Sequence, residues 1–381
     1  MGPISLVGPI GPAAAPGSEM RRLRWPGDRT GRSWFRFVEP DRLGRRPHIM
    51  VDGAARAGTV AALSHWPATP TPEVLRADLS AQSALLVSTR RSALPRGVDI
   101  VTVDHLDEDA AVAVALLCVD GLAARHGPLL VESARVGDFG VVTDRRAACV
   151  AFALAAMIDP VRTPTAELGG RRVPEDPTAA DGGSPLVDVG WRTSWVVDQI
   201  DALVSHIDGH RHLWAAEMAA YDASVRALDH GVVEIVEDSR LDLAVVRLVA
   251  RRWPSEASWA GEPIHRAAVH TATSMLRVAT VGSGWCQFRF RYETWVRLAS
   301  FRPKPRVDLS GLCIELDQME GAGAAKSPGA RWVFDGASAL VPVVRRVGPG
   351  PSAVDCEVFV DLLRRHLGRL DTARPAWDPY R

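Results

Sequence analysis

Apolar residues gather in short blocks that close on a polar residue. PHIMVD at 47–52 and GTVAALSH at 58–65 read as buried strands ending in Asp52 and His65. VDIVTVD at 98–104 reads as a third strand. The run from Asp109 to about Ala124, DAAVAVALLCVDGLAA, is too long for a strand and predicts a buried helix. LSAQSALLV after Asp78 predicts a shorter helix with Asp78 as its N-cap. Strands alternating with helices predict an α/β fold, a mostly parallel sheet flanked by helices. In such sheets ligands sit at the carboxyl ends of the strands.

The pattern changes after residue 160. Pro160, Pro164, Pro174, Pro177 and Pro185, with Gly169, Gly170, Gly182 and Gly183, predict a linker or long loop over 161–190. Residues 191–228 read as helical and carry His206, His210 and His212. Strands are expected at 231–236 and 241–249, and a final helix near 354–369. LRVATV and CQFRFRYETWV flank Gly282-Ser283-Gly284 and predict an antiparallel hairpin. Its second strand sets Cys286, Phe288, Phe290 and Tyr292 on one face, and Gln287, Arg289, Arg291 and Glu293 on the other. The expected organisation is a disordered leader over 1–30, an α/β domain over 31–160, the linker, and a second α+β substrate or cap domain over 191–381.

Composition narrows the partners. Formal net charge is zero, so no global field favours a nucleic-acid polymer or an anionic membrane. No run approaches the ~18 apolar residues of a membrane span. The N-terminal MGPISLVGPIGPAAAPGSEM lacks a basic start and an unbroken apolar core. Five dispersed cysteines form no CxxC pair, which argues against a disulfide framework or a thiolate zinc site. The expected location is cytoplasmic.

The densest chemistry is Asp104-His105-Leu106-Asp107-Glu108-Asp109, set between the third strand and the buried helix. A solvated acidic turn is the plainer reading, but AAVAVALLC follows at once. Burying one end of so acidic a turn is costly unless a cation compensates, and a hard divalent metal does so.

HxDxD at a strand end, leading into a small-residue helix, resembles the first motif of the DHH phosphoesterase superfamily. HIMVDG ending in Asp52 resembles the second motif, and LSHWP the third, with His65 at its first histidine. Asp78 before LSAQSALLV resembles the fourth. The resemblance covers roughly 47–125. HxDxD comes last of the four here, so the order is circularly permuted. Ser64 stands at the family's aspartate, Trp66 at its second histidine and Ala110 at its usual glycine. No glycine-rich GGGH-like segment is present.

The resemblance implies two metal ions, Mn²⁺ favoured. One would be held by His105, Asp107 and Asp52, the other by Asp109, Asp52, His65 and Asp78. Asp52 would bridge them. It implies hydrolysis of a phosphoester in a small nucleotide- or nucleoside-like, anionic substrate, with Asp52, His65 and Asp107 central to catalysis. The residues themselves leave two alternatives open. His65, His105 and Asp107 are enough for a facial triad holding Fe²⁺ in a non-heme oxygenase, with Trp66 as a pocket wall. A metal- or nucleotide-binding module without catalysis is the other.

Further candidates for substrate or outer contacts are Asp138, His270, Arg289 and Arg291. Asp138 follows the site helix and is placed to reach a metal or a ligand histidine. His270, Thr271 and Thr273 lie in IHRAAVHTATSM. Arg289, Arg291 and Arg297, with Tyr292, offer donors to an anion, a solvated strand face being the plainer reading. The His206, His210 and His212 group lacks an accompanying glutamate and reads as structural.

Overall fold

A computed structural model describes residues 34–163, 185–249, 257–282, 284–322, 330–350, 352–370 and 374–381. The expected leader and residues 164–184 of the expected linker lie outside them.

The first half is built on four strands: β1 (Arg36–Phe37), β2 (His48–Val51), β3 (Thr59–Leu63) and β4 (Ile100–Thr102). They pair in the order β1-β4-β2-β3, and every pairing is parallel. β2 is buried along its whole length, which suits the unbroken apolar run HIM-V of a strand covered on both faces.

Helices follow the strands: α1 (Ser80–Arg90), α2 (Glu108–Cys118), α3 (Leu122–Phe139) and α4 (Arg145–Ile158). The helix expected over 109–124 ends at Cys118, because Gly121 at φ 71° breaks it and α3 begins at Leu122. α2 is buried from Asp109 to Cys118, so alanine and valine on every side let its neighbours approach closely. It packs on α1 and α3. Asp107 caps α2, its Oδ1 accepting the Ala110 N–H at 2.9 Å.

The first core does not stop at residue 160. Val196, Val197 and Ile200 of α5 (Pro185–Ser205) and Met218 and Tyr221 of α6 (Arg211–Asp229) belong to it. So do Trp295, Val296 and Leu298, which arrive from the second sheet. The predicted boundary at 191 therefore cuts through a continuous core, because α5 and α6 lay their apolar faces on α2 and α4.

The second sheet has six strands: β5 (Val233–Asp238), β6 (Leu243–Leu248), β7 (Arg277–Gly282), β8 (Trp285–Phe290), β9 (Arg331–Phe334) and β10 (Val343–Val347). Their order is β5-β6-β7-β8-β10-β9, antiparallel except for β6 beside β7. The predicted hairpin is β7–β8, with Gly282 facing Trp285. α7 (Arg266–Ala272) stands before it. α8 (Ser310–Ala322) and α9 (Cys356–Leu370) cover one face, where Phe288, Phe290, Leu312, Leu316, Phe359 and Leu363 form a second core. Among the described residues no helix is long and apolar enough to cross a membrane.

Candidate metal centre

The three strands that end in chemistry lie side by side, β4-β2-β3, so their carboxyl ends deliver adjacent residues. Asp52 leaves β2 with a φ of 44°, a left-handed conformation that costs a non-glycine residue about 1–3 kcal/mol. The turn is held by the Asp52 N–H on the Leu63 carbonyl at 3.0 Å and the Gly53 N–H on Ser64 Oγ at 3.2 Å. It buries the Asp52 carboxylate between two histidines. Oδ1 lies 3.5 Å from His65 Nε2 and Oδ2 lies 3.3 Å from His105 Nε2.

Two groups of potential ligands result, and they share Asp52. One is Asp52, His65 and Asp109, all buried; the other is Asp52, His105 and Asp107, partly open. Five of the six ligands implied by the sequence are thus brought together.

Each histidine is oriented from behind. His65 Nδ1 donates to the Asp78 carbonyl oxygen at 2.6 Å, so in the neutral ring Nε2 presents its lone pair to the site. His105 Nδ1 donates to Asp104 Oδ1 at 2.8 Å, and its Nε2 faces Asp107 Oδ2 at 3.0 Å. Gly53 makes this possible: a Cβ there would lie 2.7 Å from Asp104 Cγ. Burial disfavours the charged form of His105, yet Asp107, Asp104 and Asp52 together hold its proton well above the usual imidazole range. Partial burial works against the charged form of Asp107, but the facing His105 pulls its carboxyl down to about 2.

Asp109 is the cap that Asp78 was expected to be. Its Oδ2 accepts the Ser80 N–H at 2.7 Å and its Oδ1 the Ala81 N–H at 2.8 Å, at the N-terminus of α1. Ser80 Oγ donates to Asp52 Oδ1 at 2.7 Å. Despite those donors, burial and the charges of Asp52 and Asp107 push the Asp109 carboxyl well up.

Asp78 does not join either group through its carboxylate. Oδ1 accepts the Ala299 and Ser300 N–H groups at 2.7 and 2.8 Å, and Oδ2 accepts Ser300 Oγ–H at 2.6 Å. It docks the 299–300 segment and contributes only its carbonyl to His65. Asp138, one residue before the end of α3, lies beside the buried group instead. Its Oδ2 lies 3.6 Å from His65 Nε2. Burial and the neighbouring Asp109, Asp107 and Asp52 raise its carboxyl well above the usual range.

The two groups could hold a cation. Asp52 Oδ2 and Asp138 Oδ2 are buried and accept no hydrogen bond. Among the described residues the ion pairs of Asp52, Asp107 and Asp138 are with His65 and His105. Closely spaced carboxylates facing two histidines are relieved by bound protons or by added positive charge. Oxygen and imidazole donors suit Mn²⁺, Fe²⁺ or Zn²⁺ and disfavour soft ions.

The three positively framed surface candidates fall elsewhere. Arg291 is buried, ion-paired with Glu293, and donates to the Thr273 carbonyl at 3.1 Å and the Phe139 carbonyl at 3.3 Å. His270 Nδ1 donates to the same Phe139 carbonyl at 2.8 Å. Both satisfy the C-terminus of α3, next to Asp138. Arg289 pairs with Glu262 and Gln287. The strand is not a solvated face, because α3 and α7 cover its end.

Trp66 does line the site. It stacks on His105 at 5.1 Å and meets Trp295 edge-on at 4.9 Å. A small open cleft with room for about one water, about 10 Å³, adjoins it, lined by Ser64, His65, Trp66, Thr69, Arg76 and Arg297. Tyr292 sits in a 3-10 turn after β8 and places its hydroxyl 3.2 Å from His65 Nε2. Sequence reasoning grouped Tyr292 with Arg289, Arg291 and Arg297 as donors to an anion, did not place it beside His65, and missed Ser80 altogether. His206, His210 and His212 form no metal-ligating group among the described residues.

Residues 33–355 match the model of a family of unknown function, DUF6687, and the chain belongs to that family. No curated protein matches the chain. No solved structure matches it.

Proposed function

We propose that the chain is a metal-dependent phosphoesterase whose centre resembles that of the DHH superfamily with its motifs in permuted order. The observation that carries this reading is the shared carboxylate: Asp52 offers one oxygen to the His65 side and the other to the His105 side. Adjacency of β4, β2 and β3 supports it, since chain order can change while the ligands stay neighbours in space.

Two divalent cations would supply positive charge that activates water and stabilises charge developing on phosphoryl oxygens. His65, Asp52 and Asp109 would hold one; His105, Asp107 and Asp52 would hold the other. Asp104 and the Asp78 carbonyl fix the imidazoles so that Nε2 faces inward. Trp66 and Trp295 wall the site and exclude bulk water. Arg76 and Arg297 line the neighbouring cleft and favour an anionic group on the substrate.

The oxygenase alternative needs His65 and His105 on one ion with Asp107. Here each histidine falls in a different group, which favours the two-ion reading.

The test is phosphate release from a panel of small phosphomonoesters and phosphodiesters by the Mn²⁺-loaded protein, beside Asp52→Asn. Turnover abolished by the substitution is expected. Retained turnover in Asp52→Asn overturns the reading, and tight metal binding without turnover on any substrate points to a binding module.

A further inference from the structure

Tyr292 comes from the second half of the chain, 227 residues from His65. Its ring is held on three sides: by Trp295, stacked at 6.0 Å; by Phe139, at 6.4 Å; and by His65, edge-on at 5.6 Å. The turn beneath it is fixed as well. Arg306, fully buried, donates to Thr294 Oγ1 at 2.7 Å, and the Arg297 N–H donates to the His65 carbonyl at 2.8 Å. The hydroxyl therefore has a set position, and only its O–H bond is free to rotate.

With His65 Nδ1 donating to Asp78, the phenol is the donor and Nε2 the acceptor. That lone pair is the one an ion between Asp52, His65 and Asp109 takes. A cation held there would take the acceptor of Tyr292 and leave its positioned O–H at the edge of the site. The surrounding ligand groups are carboxylates, which donate nothing when ionised. Ser80 Oγ, a side-chain donor in the same place, is committed to Asp52.

We propose that Tyr292 is a substrate-binding residue, its hydroxyl donating a hydrogen bond to a non-bridging oxygen of a phosphoryl group held against the loaded centre. The inference rests on the phosphoesterase reading and extends it, since it makes the site complete only when the second half of the chain is docked.

The experiment uses the full chain loaded with Mn²⁺ and inorganic phosphate as the probe, comparing wild type with Tyr292→Phe. Phenylalanine keeps the ring packing and removes only the donor. Metal content and the metal-induced rise in Tm report folding and occupancy, calorimetry reports phosphate affinity, and phosphodiester turnover gives kcat and KM separately. The expected result is unchanged metal content with phosphate binding weakened about 10-fold, the loss of one hydrogen bond to a charged group. Equal phosphate affinity in both proteins overturns the role of Tyr292 and leaves the phosphoesterase reading intact. Loss of metal in Tyr292→Phe also overturns it, since the hydroxyl would then act on His65. A loaded wild type that binds no phosphate removes the phosphoesterase reading itself, and this inference with it.

Discussion

Asp109 and Ser80 are joined across the first domain: the Asp109 carboxylate, at the start of α2, accepts the first N–H of α1 at 2.7 Å. One side chain thereby ties the two helices that flank the centre and also stands among the candidate ligands of the buried group. The same carboxylate is buried and pressed by Asp52 and Asp107, a repulsion that a bound cation would relieve.

That repulsion predicts opposite effects of one substitution in two states. Without metal, Asp52→Asn removes a buried like charge and is expected to raise Tm relative to metal-free wild type. With saturating Mn²⁺, wild type gains about 3 kcal/mol at 100-fold excess over Kd, and the variant gains nothing. Thermal melts with and without chelator check both signs; an equal metal-induced shift in the two proteins contradicts the prediction.

Asp78 separates docking from ligation. Asp78→Ala is expected to keep full metal occupancy while losing about 2–3 kcal/mol of stability, since three hydrogen bonds to a carboxylate vanish. Elemental analysis together with denaturant unfolding decides it. A drop in bound metal with unchanged stability would restore Asp78 as a ligand.

Gly53→Ala forces a Cβ to within 2.7 Å of Asp104 Cγ, displacing the group that holds His105 Nδ1. Loss of such an outer partner typically weakens metal affinity by about 10–100-fold. Calorimetric titration should show the weakened class of site alongside an intact one. Two unchanged affinities would mean that Asp104 does not matter to the ion.

His270 gives the pH dependence. Burial, then Arg291 and Arg266, hold its imidazole well below the ordinary value of 6.5. A depressed pKa means that the unfolded chain binds the proton first as pH falls. The stability from neutral His270 is therefore fully present above about pH 6.5 and declines below it, by up to about 1.4 kcal/mol per pH unit. His270→Gln, able to donate to the Phe139 carbonyl, should flatten that slope in melts between pH 7 and pH 5. An unaltered slope would assign it to other groups.

Much of this centre was legible because it is local. Asp52, His65 and the His105–Asp107–Asp109 turn each end a strand or open a helix, and a parallel sheet aligns such ends. Trp66 followed from its place beside His65. Asp78 misled because a polar residue before a helix reads as its cap, whereas the cap here comes from Asp109, 29 residues on. Arg291 read as part of an anion-seeking strand face, and His270 as a substrate contact, because a local pattern does not show what will cover it. Tyr292 and the extension of the first core into α5 and α6 depend on long-range docking, which period and spacing do not encode.

The most direct test of the shared-carboxylate centre is metal stoichiometry. The purified chain, loaded with Mn²⁺ and freed of excess, is expected to hold two ions. Asp52→Asn should hold none tightly, and His105→Ala should keep the ion of the buried group. A wild-type chain that retains no divalent ion under any loading condition would contradict the account.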